Sequence, residues 1–357
     1  MELAPLLDDF PPLCFAFAYG SAVFSQRGGE AALPSEPMTD LVFCTPHTEA
    51  WHSRNLRAHA HHYSSLSLGG ARLIAAVQER VGAGVYYNPL LRVRGRLIKY
   101  GVVHRADLID DLRGWTSLYL SGRLHKPVSF LVPPCAELAD ALAANTRGGL
   151  AAALLLLPPR FDEAELFSAI CRLSYDGDVR MGVGENWSKV DRIVAGQLDH
   201  LRLMYAAAIA ELRSARVLSS GASSVVTRAI LASDPSESCE LEEYQQDMSL
   251  DSRLRLVDLV PSNARRELAL ALQRSASGCH RGGMLEMAHV ERAVESHWIR
   301  SADQKEANQK LSAALHRSLF KIVRRASLAQ TLKGIATAGV LKSASYACTK
   351  IVKRFQR

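Results

Sequence analysis

A long apolar segment is absent from this sequence. Its most apolar stretch, residues 148–159, is about half as long as the ~20 residues that a membrane-spanning helix needs, and it ends in two prolines. There is no C-x-x-C pair, and the seven cysteines are scattered and odd in number, which argues against a disulfide framework and a zinc site. With 48% hydrophobic and 22% charged residues, the chain is typical of a globular protein in a reducing compartment.

Acidic residues are missing from the C-terminal part of the chain. Between Ala307 and Arg357 there are eleven Lys or Arg residues and no Asp or Glu, whereas the net charge of the whole chain is +7. Removing those eleven charges leaves −4 for the preceding residues, so a mildly acidic body is followed by a strongly basic tail. Such a tail predicts a polyanionic partner, either nucleic acid or an anionic membrane surface.

Strand and helix patterns alternate in the first part of the chain. Apolar runs predict strands at 13–19 and 41–44, and the segment 84–103 predicts further strands around a bend and an Arg94-Gly95 turn. Amphipathic helices lie between them, so we predict an α+β protein whose first domain, residues 1–135, contains a small mixed sheet. The remaining patterns predict a mostly helical domain at 136–215, a linker at 216–260 and a helical region at 261–357 with a basic tail at 311–357.

The stretch "FAFAYGSAVFSQ" ends an apolar strand in a Gly20-Ser21 turn, and a lone acid, Asp40, stands in the next strand. A strand that ends in Gly-Ser and opens a helix leaves backbone N–H groups that can hold phosphate oxygens, and glycine lets the backbone approach them. A carboxylate on the neighbouring strand is suited to hold Mg²⁺ against the same phosphates. By itself a Gly-Ser turn is most often only a turn.

Several blocks resemble one family in the same order. They include "YGSAVF…MTDLVF", "WHSRNLRAHAHHYSSL", "GAGVYYNPLL", "GRLIKYGVV", "DDLRGWTSLYLSGRLHKPV", "FDEAELFSAICRLSYDGDVRMGVGE" and "TLKGIATAGVLKSA". Together they resemble the mitochondrial phosphatidate cytidylyltransferases, the peripheral CDP-diacylglycerol synthases. The likeness is dense over residues 15–205 and thinner over 320–345.

This resemblance implies a nucleotidyltransferase domain followed by a winged-helix-like domain, with CTP bound between them. The implied reaction transfers CMP from CTP to phosphatidate with Mg²⁺, giving CDP-diacylglycerol and pyrophosphate. Catalysis of such a transfer is mainly positioning and charge neutralisation. Asp40 and Ser21 are then the expected catalytic residues, Gly20 and Ser21 face the triphosphate, and Asp40 is the first metal ligand. The position two residues after Asp40 is Val42, which leaves the second metal ligand open between Asp178 and Glu185, for both of which a solvated loop acid is the alternative.

Basic residues in the matched blocks are expected to bind phosphates. Lys99 lies inside an apolar strand, where a buried ammonium needs an anion, unless the strand is a water-facing edge. The alternative role for the other basic residues is capping of helix C-termini, where cations are also favoured. The full set of expected substrate contacts is Gly20, Ser21, Lys99, Arg123, His125, Lys126, Arg180 and Lys189.

The basic tail interleaves bulky apolar residues with its charges, as helices in a membrane interface do. We therefore expect an anionic membrane surface as partner and no nucleic acid, although a winged helix with a basic extension is also found in DNA readers. The resemblance places the protein on the matrix side of the mitochondrial inner membrane; the acidic N-terminus shows no transit peptide. The alternatives are another nucleotidyltransferase, acting on RNA or a small molecule, and a non-catalytic membrane adaptor.

Overall fold

The computed structural model describes residues 3–24, 38–181, 188–229, 238–274 and 287–338. Within them lie eight strands: β1 (Phe15–Tyr19), β2 (Thr39–Thr45), β3 (Val85–Val93), β4 (Arg96–His104), β5 (Ser129–Val132), β6 (Arg160–Asp162), β7 (Leu218–Ala229) and β8 (Ser238–Gln246). The α-helices are α1 (Thr48–Ala58), α2 (Gly70–Arg80), α3 (Arg105–Gly114), α4 (Ala136–Leu156), α5 (Glu163–Arg172), α6 (Ser188–Ser214), α7 (Leu250–Leu259), α8 (Ser262–Arg274), α9 (Met287–Ile299) and α10 (Gln304–Ala338).

Five strands form a mixed sheet in the order β3-β4-β2-β1-β5, in which β2 and β4 are parallel. Alternate residues of β1 point to opposite faces because the side-chain period of a strand is two. Phe15, Phe17 and Tyr19 pack with α3 and α4 on one face, whereas Ala16 and Ala18 lie in the core beneath α1. The predicted α+β class and the mixed sheet are confirmed.

The second part of the chain is a helical assembly around a small sheet. Strands β6, β7 and β8 form an antiparallel sheet in the order β6-β8-β7. A large core lies between this sheet and helices α4 to α10, with Trp115, Phe167 and Tyr205 among its buried side chains. Among the described residues, no helix combines the length and the apolar character required to span a bilayer.

Two regions differ from the sequence prediction. Residues 216–260, predicted as a linker, contain β7, β8 and α7, and Leu218, Leu241, Tyr244 and Leu256 are buried in the core. The acidic stretch belongs to β8, in which Glu242 and Glu243 separate the buried Leu241 from the buried Tyr244, so the apolar residues do not alternate as in a regular strand.

The basic tail, predicted as a membrane-binding segment from residue 311, is in its described part the long helix α10. The structure differs here too, because Leu319, Ile322 and Val323 are buried in the core instead of being available to lipid. Lys321 forms an ion pair with Glu267 on α8, at 2.6 Å. Residues 339–357, with the second apolar and basic cluster of the tail, lie outside the described residues.

Candidate active site

Asp40 and Lys99 lie side by side on the parallel strands β2 and β4. The strand register pairs Asp40 with Lys99 directly, and the Lys99 Nζ donates a hydrogen bond to Asp40 Oδ1 at 2.9 Å. Their side chains are 24% and 19% exposed, so the pair lies at the border between core and solvent. Two residues that the sequence predicted separately, for a metal and for phosphates, therefore form one charged pair.

The Gly20 turn lies directly beside this pair. Tyr19, the last residue of β1, is opposite Asp40 in the antiparallel register, and the chain then turns at Gly20 with φ of +90°. A Cβ atom on residue 20 would lie 3.4 Å from Asp40 Oδ2. The N–H groups of Val23 and Phe24 both donate to the Gly20 carbonyl, and Ser21 is exposed at the start of the turn. The structure thus brings the Gly20-Ser21 turn next to Asp40.

Two cations of the site, Arg123 and Lys99, lie above tyrosine rings. The Arg123 guanidinium lies 4.4 Å above the centre of the Tyr19 ring, and the Lys99 ammonium lies 4.6 Å above that of Tyr87. Such contacts stabilise a cation and fix its position without neutralising its charge. The charge of Arg123 therefore remains available to a phosphate, whereas that of Lys99 is shared with Asp40.

Two further lysines lie against Ser174 and Tyr175, in the segment that follows α5. Lys126 Nζ donates to Ser174 Oγ at 2.9 Å and lies 4.6 Å above the Tyr175 ring, and Lys189 lies 5.7 Å above the same ring. Burial lowers the pKa of Lys126. An anion beside this ammonium would favour its charged form and raise its pKa again.

Arg180 and Asp178 form a tight ion pair. Arg180 donates to both carboxylate oxygens, with the shortest contact at 2.6 Å, and the Arg180 backbone N–H donates to Asp178 Oδ1 as well. The Arg180 guanidinium also lies 5.5 Å from the centre of the Tyr119 ring. Burial opposes ionisation of Tyr119, but the positive charges of Arg180, Lys99 and Arg123 outweigh it and lower the pKa of the phenol. The field at this point is strongly positive.

These groups enclose a cavity of about 20 Å³, which is room for about one water molecule. Its walls include the cations Arg123, Lys126 and Arg180, the ring of Tyr119, and Val323 and Ser327 from α10. The cations and hydroxyl groups suit phosphate oxygens, but the Asp178 carboxylate also lines the cavity, and at this size it admits no phosphate group.

Asp111 holds the loop that delivers these residues. Its buried carboxylate accepts seven hydrogen bonds from residues 116–121, through backbone N–H groups and hydroxyl groups. The loop needs this support because Trp115 and Leu118 both have positive φ, at 53° and 54°, which is strained for side chains of that size. Tyr119 and Arg123 are positioned in this way.

We expect Asp111→Ala to lower the free energy of unfolding by about 3 kcal/mol or more, since several donors would be buried without a partner. Thermal unfolding followed by circular dichroism measures the loss. The control is Asp110→Ala, because the neighbouring Asp110 is exposed and its removal should change the midpoint little. Equal midpoints for the two variants would contradict the role given to Asp111.

His125 has a different position from its two basic neighbours. It is fully buried, its Nε2 is 3.1 Å from Asn145 Oδ1, and its ring packs against Trp115. Burial lowers the pKa of His125 to about 3, so the ring is neutral. The structure places His125 in the core, and we leave it out of the proposed substrate contacts.

The residues predicted to hold a metal are not gathered into one protein cluster. No group of three His, Cys, Asp or Glu side chains suited to a metal occurs among the described residues, Asp178 is engaged by Arg180, and Glu185 lies outside the described residues. Mg²⁺ commonly binds through one or two carboxylates together with substrate phosphates. Asp40, beside the Gly20 turn, fits that mode.

Sequence reasoning missed four tyrosines, Asp111 and the contribution of α10. Tyr19 adjoins the Gly20 turn and Tyr119 lies inside the "LYLSGRLHKPV" block, so an aromatic residue next to each phosphate motif was the available signal. Asp111 and Ser327 carried no local signal, since their partners are fixed only by the tertiary fold.

Comparison with known proteins gives a uniform result. The family model described as mitochondrial phosphatidate cytidylyltransferase matches residues 3–353. Among curated proteins named mitochondrial phosphatidate cytidylyltransferase, one from Mus musculus is 35% identical over 99% of this chain and 94% of its own length. One from Xenopus laevis is 36% identical over 98% and 93%, and one from Dictyostelium discoideum is 32% identical over 98% and 83%. The similarity thus extends over the sheet domain and the helical assembly alike.

Proposed function

Because the chain belongs to the mitochondrial phosphatidate cytidylyltransferase family, we propose that the site around Asp40 is where it transfers CMP from CTP to phosphatidate. The protein is an enzyme that makes CDP-diacylglycerol. The single observation that supports this location best is the Asp40–Lys99 pair beside the Gly20 turn, because it places a carboxylate, a cation and a phosphate-binding turn together.

The transfer is an in-line displacement at the α-phosphorus of CTP. A phosphatidate oxygen attacks, the bond to the β-phosphate oxygen breaks, and pyrophosphate leaves. The protein has to align the two substrates and neutralise the charge on the transferring and leaving groups. Lys99 and the Gly20-Ser21 turn are suited to the triphosphate, whereas Arg123, Lys126, Arg180 and Lys189 are suited to the leaving pyrophosphate or the lipid phosphate.

Mg²⁺ fits this proposal as the cofactor, and Asp40 is the residue that would hold it. A bound Mg²⁺ supplies charge neutralisation at the phosphate oxygens. Asp40 Oδ2 is oriented toward the Gly20 turn, where these oxygens are expected, while Oδ1 is held by Lys99. Lys99 therefore fixes the rotamer of the carboxylate before the nucleotide arrives.

The fold is consistent with a nucleotidyltransferase domain followed by a winged-helix-like domain. In residues 136–246 the order is helix, strand, helix, helix, strand, strand, with sheet order β6-β8-β7, and this order supports a winged helix with β7 and β8 as its wing. We place CTP between the two domains, since the cations of the site come from both: Lys99 from the first, and Arg180 and Lys189 from the second.

Contact with a membrane is proposed for the outer face of α10 and for the tail that follows. Phe320, Leu328, Leu332 and Ile335 are 39%, 49%, 61% and 46% exposed, and they share one side of the helix with Arg317 and Arg324. Apolar and basic residues on one exposed face are typical of helices that bind an anionic interface. A peripheral position on the matrix side of the mitochondrial inner membrane is part of this proposal, and the mitochondrial name of the family supports the organelle.

The direct test is to incubate the protein with labelled CTP, Mg²⁺ and vesicles that contain phosphatidate. We expect labelled CDP-diacylglycerol and pyrophosphate in equal amounts. A protein that binds the vesicles and forms no product would support the adaptor instead, and label found only on RNA or a small molecule would support another nucleotidyltransferase.

Lys99→Met should weaken CTP binding about tenfold to a hundredfold. The substitution keeps the apolar stem above Tyr87 and removes a charge-assisted hydrogen bond to phosphate, worth about 1.5–3 kcal/mol. Thermal stability should change little, because the Asp40–Lys99 pair is partly exposed.

Calorimetric titration with CTP measures the loss, and Lys305→Met, at an exposed lysine, is the control. Wild-type affinity, or a variant that fails to fold, would assign Lys99 a purely structural role.

A further inference from the structure

Helix α10 contacts two parts of the protein, the cavity of the candidate active site and the sheet domain. Its middle part, at Val323 and Ser327, lines the cavity that contains Arg123, Lys126 and Arg180. Its last described turns contact the flank of the five-stranded sheet. The same helix also has the exposed apolar and basic face that we assign to the membrane. One helix therefore contacts the cavity, the sheet domain and, in this proposal, the membrane.

The contact with the helical domain is close and specific. Ser327 Oγ accepts a hydrogen bond from the Val179 N–H at 2.9 Å, between the ion-paired residues Asp178 and Arg180. Arg180 and the Ser327 hydroxyl, both hydrogen-bonded to Asp178, outweigh its burial and lower the pKa of its carboxyl. Two residues before Val179, Gly177 has φ of +96°, and a Cβ atom there would lie 2.6 Å from the Phe320 carbonyl oxygen. The segment 176–180 is thus pressed directly against the helix backbone.

The contact with the sheet domain anchors the end of the helix. Gln330 accepts a hydrogen bond from the Ala83 N–H at 3.0 Å and donates to the Val85 carbonyl at 3.1 Å. Lys333 donates to carbonyl oxygens at the C-terminal end of α2, among them Gln78 at 2.9 Å. Between these anchors and the core packing of Leu319, α10 spans the cleft and holds its two sides together.

This arrangement closes the site to its ligands. The cavity of about 20 Å³ has no room for a phosphate, and Asp178 occupies the guanidinium of Arg180 with three hydrogen bonds. For a phosphate to enter this cavity, the segment 176–180 has to move away from α10 or α10 has to move away from it. The Ser327–Val179 bond opposes either motion.

We propose that α10 is an autoinhibitory element: its contact with the segment 176–180 keeps the phosphate site closed, and binding of its outer face to an anionic lipid surface releases that contact. The inference rests on the proposed function, because it assumes that CTP binds beside Arg180. Its consequence is that an enzyme away from the membrane binds CTP weakly, and that contact with the lipid surface opens the nucleotide site.

The test measures CTP affinity by calorimetry with Mg²⁺, in the presence and absence of phosphatidylglycerol vesicles, which are anionic but contain no phosphatidate and so prevent turnover. We expect vesicles to tighten CTP binding by the full chain about tenfold. Ser327→Ala should bind CTP about tenfold more tightly than wild type without vesicles and gain little when they are added. Ser318→Ala is the matched control, since that buried hydroxyl bonds only its own helix, at the Ala314 carbonyl.

A second measurement does not depend on a variant. Hydrogen exchange at the Val179 amide, protected by Ser327 in the closed state, should become faster in the wild-type protein when vesicles are added. Leu332→Glu, on the exposed face, should abolish this change and leave lipid-free CTP binding as it was. CTP affinity and Val179 exchange that do not respond to vesicles would overturn the proposal. If the protein is active on phosphatidate under those conditions, only the autoinhibition fails; if it neither binds CTP nor forms product, the proposed function fails with it.

Discussion

Asp40→Asn should reduce the rate of CDP-diacylglycerol formation about a thousandfold. The asparagine has the shape of the aspartate and still accepts a hydrogen bond from Lys99, but it lacks the charge that would hold Mg²⁺ beside the Gly20 turn. A thousandfold loss corresponds to about 4 kcal/mol of transition-state stabilisation, which is the size expected for the loss of a catalytic metal contact. Product formation from labelled CTP and phosphatidate vesicles measures it.

The control for this experiment is Asp140→Asn, at an exposed position on α4. Both variants should unfold within a few degrees of wild type, which separates a chemical defect from a structural one. Activity of Asp40→Asn within a few-fold of wild type would refute the metal-binding role of Asp40. Asp178 or Glu185 would then be the candidate metal ligand.

Truncation after Lys310 should abolish folding. Folding depends on this segment because α10 contributes Leu311, Leu315, Leu319, Ile322 and Val323 to the core. Five such buried side chains are worth on the order of 10 kcal/mol, which is comparable to the whole stability of a typical domain. Circular dichroism and the yield of soluble protein measure the effect.

Truncation after Ala338 is the matched comparison. It retains every contact of α10 named above and removes five of the eleven basic residues of the tail, at Lys342, Lys350, Lys353, Arg354 and Arg357. This shorter deletion should fold, bind CTP and sediment less with anionic vesicles than the full chain. A folded protein after truncation at Lys310 would contradict the role of α10 in the core. Unchanged vesicle binding after truncation at Ala338 would confine membrane contact to the exposed face of α10.

Local patterns predicted the strands of the first sheet well. Alternating or continuous apolar runs placed β1 and β2, and the Arg94-Gly95 turn placed the junction of β3 and β4. These signals are short-range, so they survive without knowledge of the fold. The pairing of Asp40 with Lys99 was beyond them, because 59 residues separate the two and a parallel pairing of β2 with β4 has no local signature.

The predictions for residues 216–260 and for the basic tail failed because tertiary contacts are not visible in a local pattern. Residues 216–260 are Ser-rich and acidic, because β7 and β8 expose one side to solvent, and the core contacts of Leu241 and Tyr244 were too sparse to reveal a period. In α10 the apolar residues do have helical spacing, but periodicity does not distinguish a face that packs on protein from one that packs on lipid. Only the tertiary structure shows that Leu319 and Val323 point inward while Phe320 and Leu332 point outward.

The hydrogen bonds of Gln330 and Lys333 join segments that the ribosome synthesises at very different times. A ribosome releases α2 and β3 some 250 residues before Lys333 and Gln330, so the carbonyl groups of Gln78 and Val85 and the N–H of Ala83 have no protein partner during most of translation. The first domain therefore completes these contacts only when nearly the whole polypeptide has emerged. A fragment of residues 1–135 expressed alone would lack the hydrogen bonds from Gln330 and Lys333. Residues 287–357 supplied as a separate chain should therefore assemble with the preceding part of the chain, and recovery of activity would measure that assembly.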